Sequence, residues 1–124
     1  MNDKEHYSYL LFTSVMMFLG IILGAFGAHA LKDSLSEYSA DIYAKANFYH
    51  YLSAISIAIM AFSKLEKLKS CIYLQLAGGL IFSSSLYLLA ISGVKMLGAI
   101  TPIGGTLMII SWGLFSFKCY KKLN

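Results

Sequence analysis

"GAFGAHALKD", Gly24 to Asp33, closes the first long apolar run of the chain, and its reading decides the fold. Ala28-His29-Ala30 has the form of a secretory cleavage site, whereas the glycines have the form of a helix-packing surface. A secretory leader needs a basic n-region and an apolar core of about 7 to 15 residues. Here "MNDKEHYSY" carries two acids against one lysine, and the apolar run before Ala28 is longer than that window. The run is therefore expected to remain in the protein as a helix. At about 100° per residue, Gly20, Gly24, Gly27 and Ala28 share one face, and Gly20-xxx-Gly24-xxx-Ala28 is a small-xxx-small ladder that lets helix backbones approach. His29, about 180° from Gly20, is expected off that face.

The rest of the chain has the same character. It has 124 residues, enough for one domain, with 58% apolar and 13% charged residues and a mean hydropathy of +0.67. A soluble interior could not hide that much apolar side chain. Four apolar stretches stand out: Leu10 to Leu31, Ala46 to Phe62, Ile72 to Ile91 and Met96 to Phe117. Each approaches the roughly 20 residues that cross a hydrocarbon core of about 30 Å. The second is the most polar, with Asn47 and His50 in its first turns. In the third, leucine, isoleucine and phenylalanine outweigh Gln75 and the serines. The runs are continuous rather than alternating, which favours helices over a barrel. The expectation is all-α: one integral membrane domain over residues 1–124, a bundle of four transmembrane helices.

Lysine placement gives a direction. Net charge is +4 and all ten basic residues are lysines. Lys4, Lys64, Lys67, Lys69, Lys118, Lys121 and Lys122 would share one side, and Lys32, Lys45 and Lys95 the other. The excess predicts both termini on the cytoplasmic side of a bacterial plasma (inner) membrane. Cys71 and Cys119 would lie on that reducing side as free thiols. No CxxC and no histidine at ligand spacing accompanies them, so neither metal nor cofactor is expected. Short lysine clusters between apolar runs do not form the basic stripe of a nucleic-acid binder. In the first loop, "KDSLSEYSADIYAK" (32–45), Ser34 and Glu37 have capping-box spacing, and Leu35, Tyr38 and Ile42 recur at i, i+3 and i+7. This predicts a short amphipathic helix on the outer surface, with a solvated loop as the alternative.

The four spans bring polar groups to one depth: His29 ending the first, Asn47 and His50 opening the second, Ser83, Ser84, Ser85 and Tyr87 in the outer half of the third, and Thr101 opening the fourth. Intramembrane polar side chains usually face the bundle. His29, Asn47, His50, Ser84, Ser85, Tyr87 and Thr101 are therefore a candidate polar cluster. Packing with interface anchoring, and ligand contact, both remain open for it. Haem ligation by His29 and His50 is chemically allowed, but two histidines at this spacing do not carry it. Gly20, Gly24, Gly27, Ala28, Gly79, Ser83, Gly104 and Gly105 form the expected helix-packing set, with Ala54, Ala58 and Ala61 adding a small face on the second span. Thr101-Pro102 fits a capped helix start, with a hinge as the alternative. Trp112 and Tyr120 are expected to mark the lower part of the fourth span and its interface.

Four segments in order, "GAFGAHALK" (24–32), "FYHYLSAI" (48–55), "FSSSLYLL" (82–89) and "LGAITPIGG" (97–105), resemble domain-of-unknown-function family 423, the small membrane proteins grouped with the transmembrane protein 256 family. The resemblance spans nearly the whole chain. It implies a four-helix integral membrane protein and leaves the molecular activity open. Ala46 and Asn47 stand where a Tyr-Gln pair is expected in that family, and Ser84 where a glycine is expected.

The acids Asp3, Glu5, Asp33, Glu37, Asp41 and Glu66 all fall in tails or loops, and neither a nucleophile elbow nor a phosphate loop is present. An enzyme is not expected. The leading expectation is a non-enzymatic membrane protein acting through helix packing, as a self-associating bundle or as an accessory subunit of another membrane protein. Membrane lipid is its expected surroundings, and a lipid or small apolar ligand held near the outer face is part of this reading. The alternative is a small proton-linked transporter or permease with His29 and His50 as titratable groups. The lysine asymmetry argues against the dual insertion of small dimeric exporters.

Overall fold

Asn2 starts the first helix by accepting the Glu5 amide through its side chain at 2.9 Å, and Asp3 and Glu5 complement the positive helix end. A computed structural model describes residues 1–63 and 65–124; Lys64, assigned above to the second loop, lies outside the described residues. The first helix, α1 (Asp3–His29), has 27 residues, about 40 Å at the rise of an α-helix. It is followed by α2 (Glu37–Phe62), α3 (Lys69–Ser92) and α4 (Leu97–Leu123). The fold is all-α, as expected. Helices α1, α3 and α4 are long and apolar enough to cross a membrane.

Two helix starts differ from expectation. The amphipathic helix predicted for the first loop is not a separate element, because residues 37–45 are the first turns of α2. Ser36 rather than Ser34 is the cap, accepting the Ser39 amide at 3.1 Å. These turns stand against the bundle because Ile42 and Tyr43 are buried and the Tyr43 hydroxyl donates to the Leu23 carbonyl at 2.5 Å. Likewise, Thr101-Pro102 does not open α4, which begins at Leu97 with Pro102 inside it. The Val94, Lys95 and Met96 carbonyls accept the amides of Leu97, Gly98 and Ala99 and set the first turn. Pro102 then gives up only the bond it would have made to Gly98. The α3–α4 turn is made by Gly93, whose φ of 69° is the left-handed conformation that ends many helices.

Among the described residues the packed pairs are α1–α2, α2–α3 and α3–α4. Helices α2 and α3 form the centre and α1 and α4 flank it. One apolar cluster gathers Met16, Ile57, Met60, Leu68 and Ile72, and a second gathers Ile42, Tyr43, Tyr87 and Ala90. Both chain ends lie at one end of the bundle: Lys69 Nζ meets Glu5 Oε1 at 2.5 Å, and Ser111 Oγ donates to the Cys71 carbonyl at 2.7 Å. At the α3–α4 contact a Cβ on Gly78 would stand 2.7 Å from the Gly104 carbonyl, so the two backbones touch without side chains between them. Helix α2 is missing from the apolar set because it begins with the polar turns of Glu37 to Asn47 and carries His50, Ser53 and Ser56, which are buried.

Candidate functional site

Polar residues recur every third position on α2, at Asn47, His50, Ser53 and Ser56, and every fourth on α3, at Gln75, Ser83 and Tyr87, with Gly79 filling the gap. Rows of these two pitches interdigitate when helices cross at about 20°. Here they meet rung by rung and form a polar seam through the bundle.

At the upper rung, Asn47 Nδ2 donates to Tyr87 Oη and to the Gly20 carbonyl, each at 2.9 Å. One amide thus joins α1, α2 and α3. The Gly20 carbonyl also accepts from Tyr51 Oη at 2.8 Å. His50 Nδ1 lies 3.2 Å from Tyr87 Oη. Tyr87 Oη accepts from Asn47 and has a proton of its own that can be given to His50 Nδ1. The Tyr43 ring meets the Tyr87 ring edge-on at 5.0 Å and closes the rung above.

Below, Ser53 occupies the space a side chain at Gly79 would need, and its hydroxyl donates to the Gln75 carbonyl at 3.1 Å. Ser56 Oγ donates to its own helix at Leu52 (2.7 Å) and accepts from Trp112 Nε1 at 3.3 Å. Between these satisfied groups lie Ser83 Oγ and both ends of the Gln75 carboxamide, buried and without a partner among the described residues. Such atoms are costly away from water.

The expected cluster therefore divides. Asn47, His50 and Tyr87 come together, and Ser83, expected to serve packing, joins them. Ser85 and Thr101 make a separate α3–α4 pair, their hydroxyls 2.6 Å apart, because Ser85 and Tyr87 are about 200° apart around α3. Ser84 is exposed and bonds the Leu80 carbonyl of its own helix. His29 is exposed at the end of α1. Of the packing set, Gly20, Gly24 and Gly27 face α2, where added side chains would meet Tyr51, Asn47 and Tyr43. Ala28 is exposed, so Gly27 takes its place on that face. Gly79 and Gly104 are in close contact, while Gly105 leaves ordinary van der Waals room beside Phe82. Trp112 is half-buried and donates to Ser56; Tyr120 is exposed. Gln75, Ser53, Ser56 and Ser111 were not among the expected site residues, although the three-residue recurrence on α2 signals two of them.

A cavity of about 150 Å³ lies beside the seam between α1 and α3, with Met16, Leu23, His50, Leu80, Ser83 and Tyr87 in its wall. A second, of about 250 Å³, lies above Asn47 and is lined by Gly27, Leu31, Lys32 and Tyr43. Among the described residues no three His, Cys, Asp or Glu side chains are grouped to hold a metal ion.

Residues 23–105 match the family described as "Protein of unknown function (DUF423)". The match includes the seam residues of α2 and α3, but neither Gly20 of α1 nor Trp112 of α4, which bond to them. The chain is 33% identical over 120 residues to "UPF0382 membrane protein YwdK" of Bacillus subtilis (strain 168), covering 93% of this chain and 98% of that one. It is 42% identical over 102 residues to a "UPF0382 membrane protein" of Staphylococcus epidermidis (strain ATCC 12228), covering 80% and 82%. It is 36% identical over 111 residues to "UPF0382 membrane protein SAB0533" of Staphylococcus aureus (strain bovine RF122), covering 87% and 89%. No solved structure matches the chain.

Proposed function

The chain belongs to this family of proteins of unknown function, and on that premise we propose a multi-pass protein of the bacterial plasma membrane that acts by helix association rather than catalysis. The four helices form one membrane domain with both termini cytoplasmic. Its partner is a second copy or another membrane protein. The relatives' names, the three long apolar helices and the inward-turned polar face of α2 support the membrane placement. The lysine excess at the end shared by both termini supports the orientation.

Association is carried by the state of the small residues. Gly20, Gly24, Gly27, Gly78, Gly79 and Gly104 are each filled by atoms of a neighbouring helix within the chain, whereas Gly113 on α4 has nothing within 4 Å. Gly113 shares an exposed α4 face with Thr106 and Ser116, and small residues of this kind let a second helix approach closely in lipid. The glycine ladder of α1 is used internally and is not the association surface. Native mass spectrometry from nanodiscs tests this reading. A dimer or higher oligomer that falls to monomer in Gly113→Leu is expected; a wild-type protein that is monomeric throughout would refute self-association and leave only another membrane protein as partner.

The absence of a carboxylate from the seam among the described residues supports a non-enzymatic role. One observation favours the transport alternative: His50 is buried and held by Tyr87. His29, apart from the seam, takes no part. Proton-driven flux in proteoliposomes that disappears in His50→Ala would establish that alternative.

A further inference from the structure

At the end of the bundle that holds both chain ends, the first turns of α1 and the start of α3 frame an open cavity of about 410 Å³. It lies where charge gives way to membrane-length apolar sequence: Glu5 and Lys69 belong to polar first turns, and the apolar runs of α1 and α3 begin beside Tyr9 and at Ile72. Its wall is divided accordingly. Lys67, Lys69 and Ser70, all exposed, form the polar side with Glu5, and the half-buried Tyr9 and Leu65 belong to the apolar side. The charges do not cancel. Lys69 is paired with Glu5 at 2.5 Å, whereas Lys67 makes no ion pair among the described residues. Lys67 also holds a φ of 57°, the left-handed conformation that favours glycine, so a cation is kept in the wall against backbone preference. Helix α3 starts at Lys69 without a side-chain cap, and its first amides add partial positive charge beside Ser70.

We propose that this cavity binds the phosphate of an anionic phospholipid of the cytoplasmic leaflet, with Lys67 as its counter-charge and Ser70 as a hydroxyl donor. A phosphodiester carries one negative charge and answers one unpaired ammonium; in phosphatidylcholine that charge is already balanced by choline. The apolar side, with Tyr9 and Leu65, then meets the start of the acyl chains, which a free phosphate ion would leave uncovered. This is what favours a lipid over the ion. The space equals about fourteen waters of liquid volume, room for a phosphate with its glycerol. The inference rests on the membrane placement and orientation proposed above, which set the cavity at the lysine-rich surface where anionic lipid collects.

The test uses the full chain in phosphatidylcholine nanodiscs carrying a trace of a photoreactive lipid, either phosphatidylglycerol or phosphatidylcholine, with a diazirine on the acyl chain close to the glycerol. Labelled peptides are mapped by mass spectrometry. The phosphatidylglycerol probe is expected to label the cavity segments, residues 1–9 and 65–72, about fivefold more than the phosphatidylcholine probe, the weight of one lysine at a membrane surface. Lys67→Gly removes the ammonium while suiting the left-handed backbone, and Ser70→Glu places a repelling charge where a helix start favours an acid. Both keep the fold and are expected to abolish the preference. Lys122→Gln, at the same end of the bundle but outside the cavity, is expected to leave it unchanged. Equal labelling by the two probes, or a preference that Lys122→Gln weakens as much as Lys67→Gly does, would overturn the proposal in favour of diffuse surface charge. Loss of the preference to inorganic phosphate at constant ionic strength would overturn the lipid and assign the cavity to a free anion. A protein that stays in solution without detergent or lipid would instead overturn the membrane reading.

Discussion

Asn47 and Tyr87, forty residues apart, meet at 2.9 Å, and the same Asn47 nitrogen holds the Gly20 carbonyl. This one carboxamide attaches α1 to the α2–α3 centre. Asn47→Ala is expected to destabilise the fold by about 1 to 2 kcal/mol, the upper range for interhelical hydrogen bonds in membranes. The loss should appear as faster amide hydrogen exchange over Met16 to Gly24. A double-mutant cycle with Tyr87→Phe should give a coupling of about 0.5 to 1.5 kcal/mol; strict additivity would show that the contact carries no energy.

Gly104 marks a close approach of the α3 and α4 backbones. A Cβ there would stand 2.5 Å from the Phe82 nitrogen and 2.7 Å from the Gly78 carbonyl, neither of which can turn aside. Gly104→Ala is expected to cost about 1 to 3 kcal/mol by overpacking. Gly113→Ala, with open space around it, should leave thermal stability unchanged or raise it by up to about 1 kcal/mol through helix propensity. Thermal unfolding of the two variants side by side checks the contrast.

The bundle and its α1 glycine face were legible because both depend on local periodicity: apolar runs of membrane length, and small residues at spacings of three and four. The division of the polar cluster was not. Depth along a span can be counted from residue number, but rotation about the helix axis relative to a neighbour cannot, and it is rotation that sends Tyr87 to α2 and Ser85 to α4. Ala28 lost its place to Gly27 for the same reason, since the crossing of α2 selects which of two adjacent residues is covered. The inward role of Gln75 was masked by its own helix, whose many leucines and isoleucines made one polar residue read as a tolerated exception.

Gln75 supplies a third prediction. It is fully buried, and neither end of its carboxamide has a partner among the described residues. Gln75→Leu, of similar volume, removes an unpaired polar group and is expected to stabilise the protein by about 1 to 3 kcal/mol. A loss of stability instead would mean that bound water satisfies the amide. Chemical denaturation in mild detergent distinguishes the two.

The pair of Glu5 and Lys69 lies outside the expected spans and titrates in a predictable direction. The hydrogen bond from the Lys69 ammonium, aided by its charge and by Asn2, holds the Glu5 carboxyl below the usual carboxylate range, and Glu5 in turn raises Lys69. A lowered carboxyl contributes stability that is full above its unfolded pKa of about 4.3 and is lost as pH falls through the folded value. The raised lysine contributes stability below about 10.4 that is lost as pH rises through its folded value. Carbon-13 NMR of the Glu5 carboxyl should show titration below the ordinary range, returning to it in Lys69→Met. An unchanged midpoint in that variant would show that the bridge does not form in solution.

The packed pairs α1–α2, α2–α3 and α3–α4 also set an order of construction. Every helix rests on the one made just before it, and no main contact waits for a helix still to be synthesised. The short turns, Gly93 among them, keep each new helix beside its support as it leaves the ribosome. Such a chain can assemble in step with its own translation, with little need for an unpaired helix to persist in the bilayer. The α1–α2 contact, closed by Asn47, would be the first part of the protein to become native, and the α4 face with Gly113 the last.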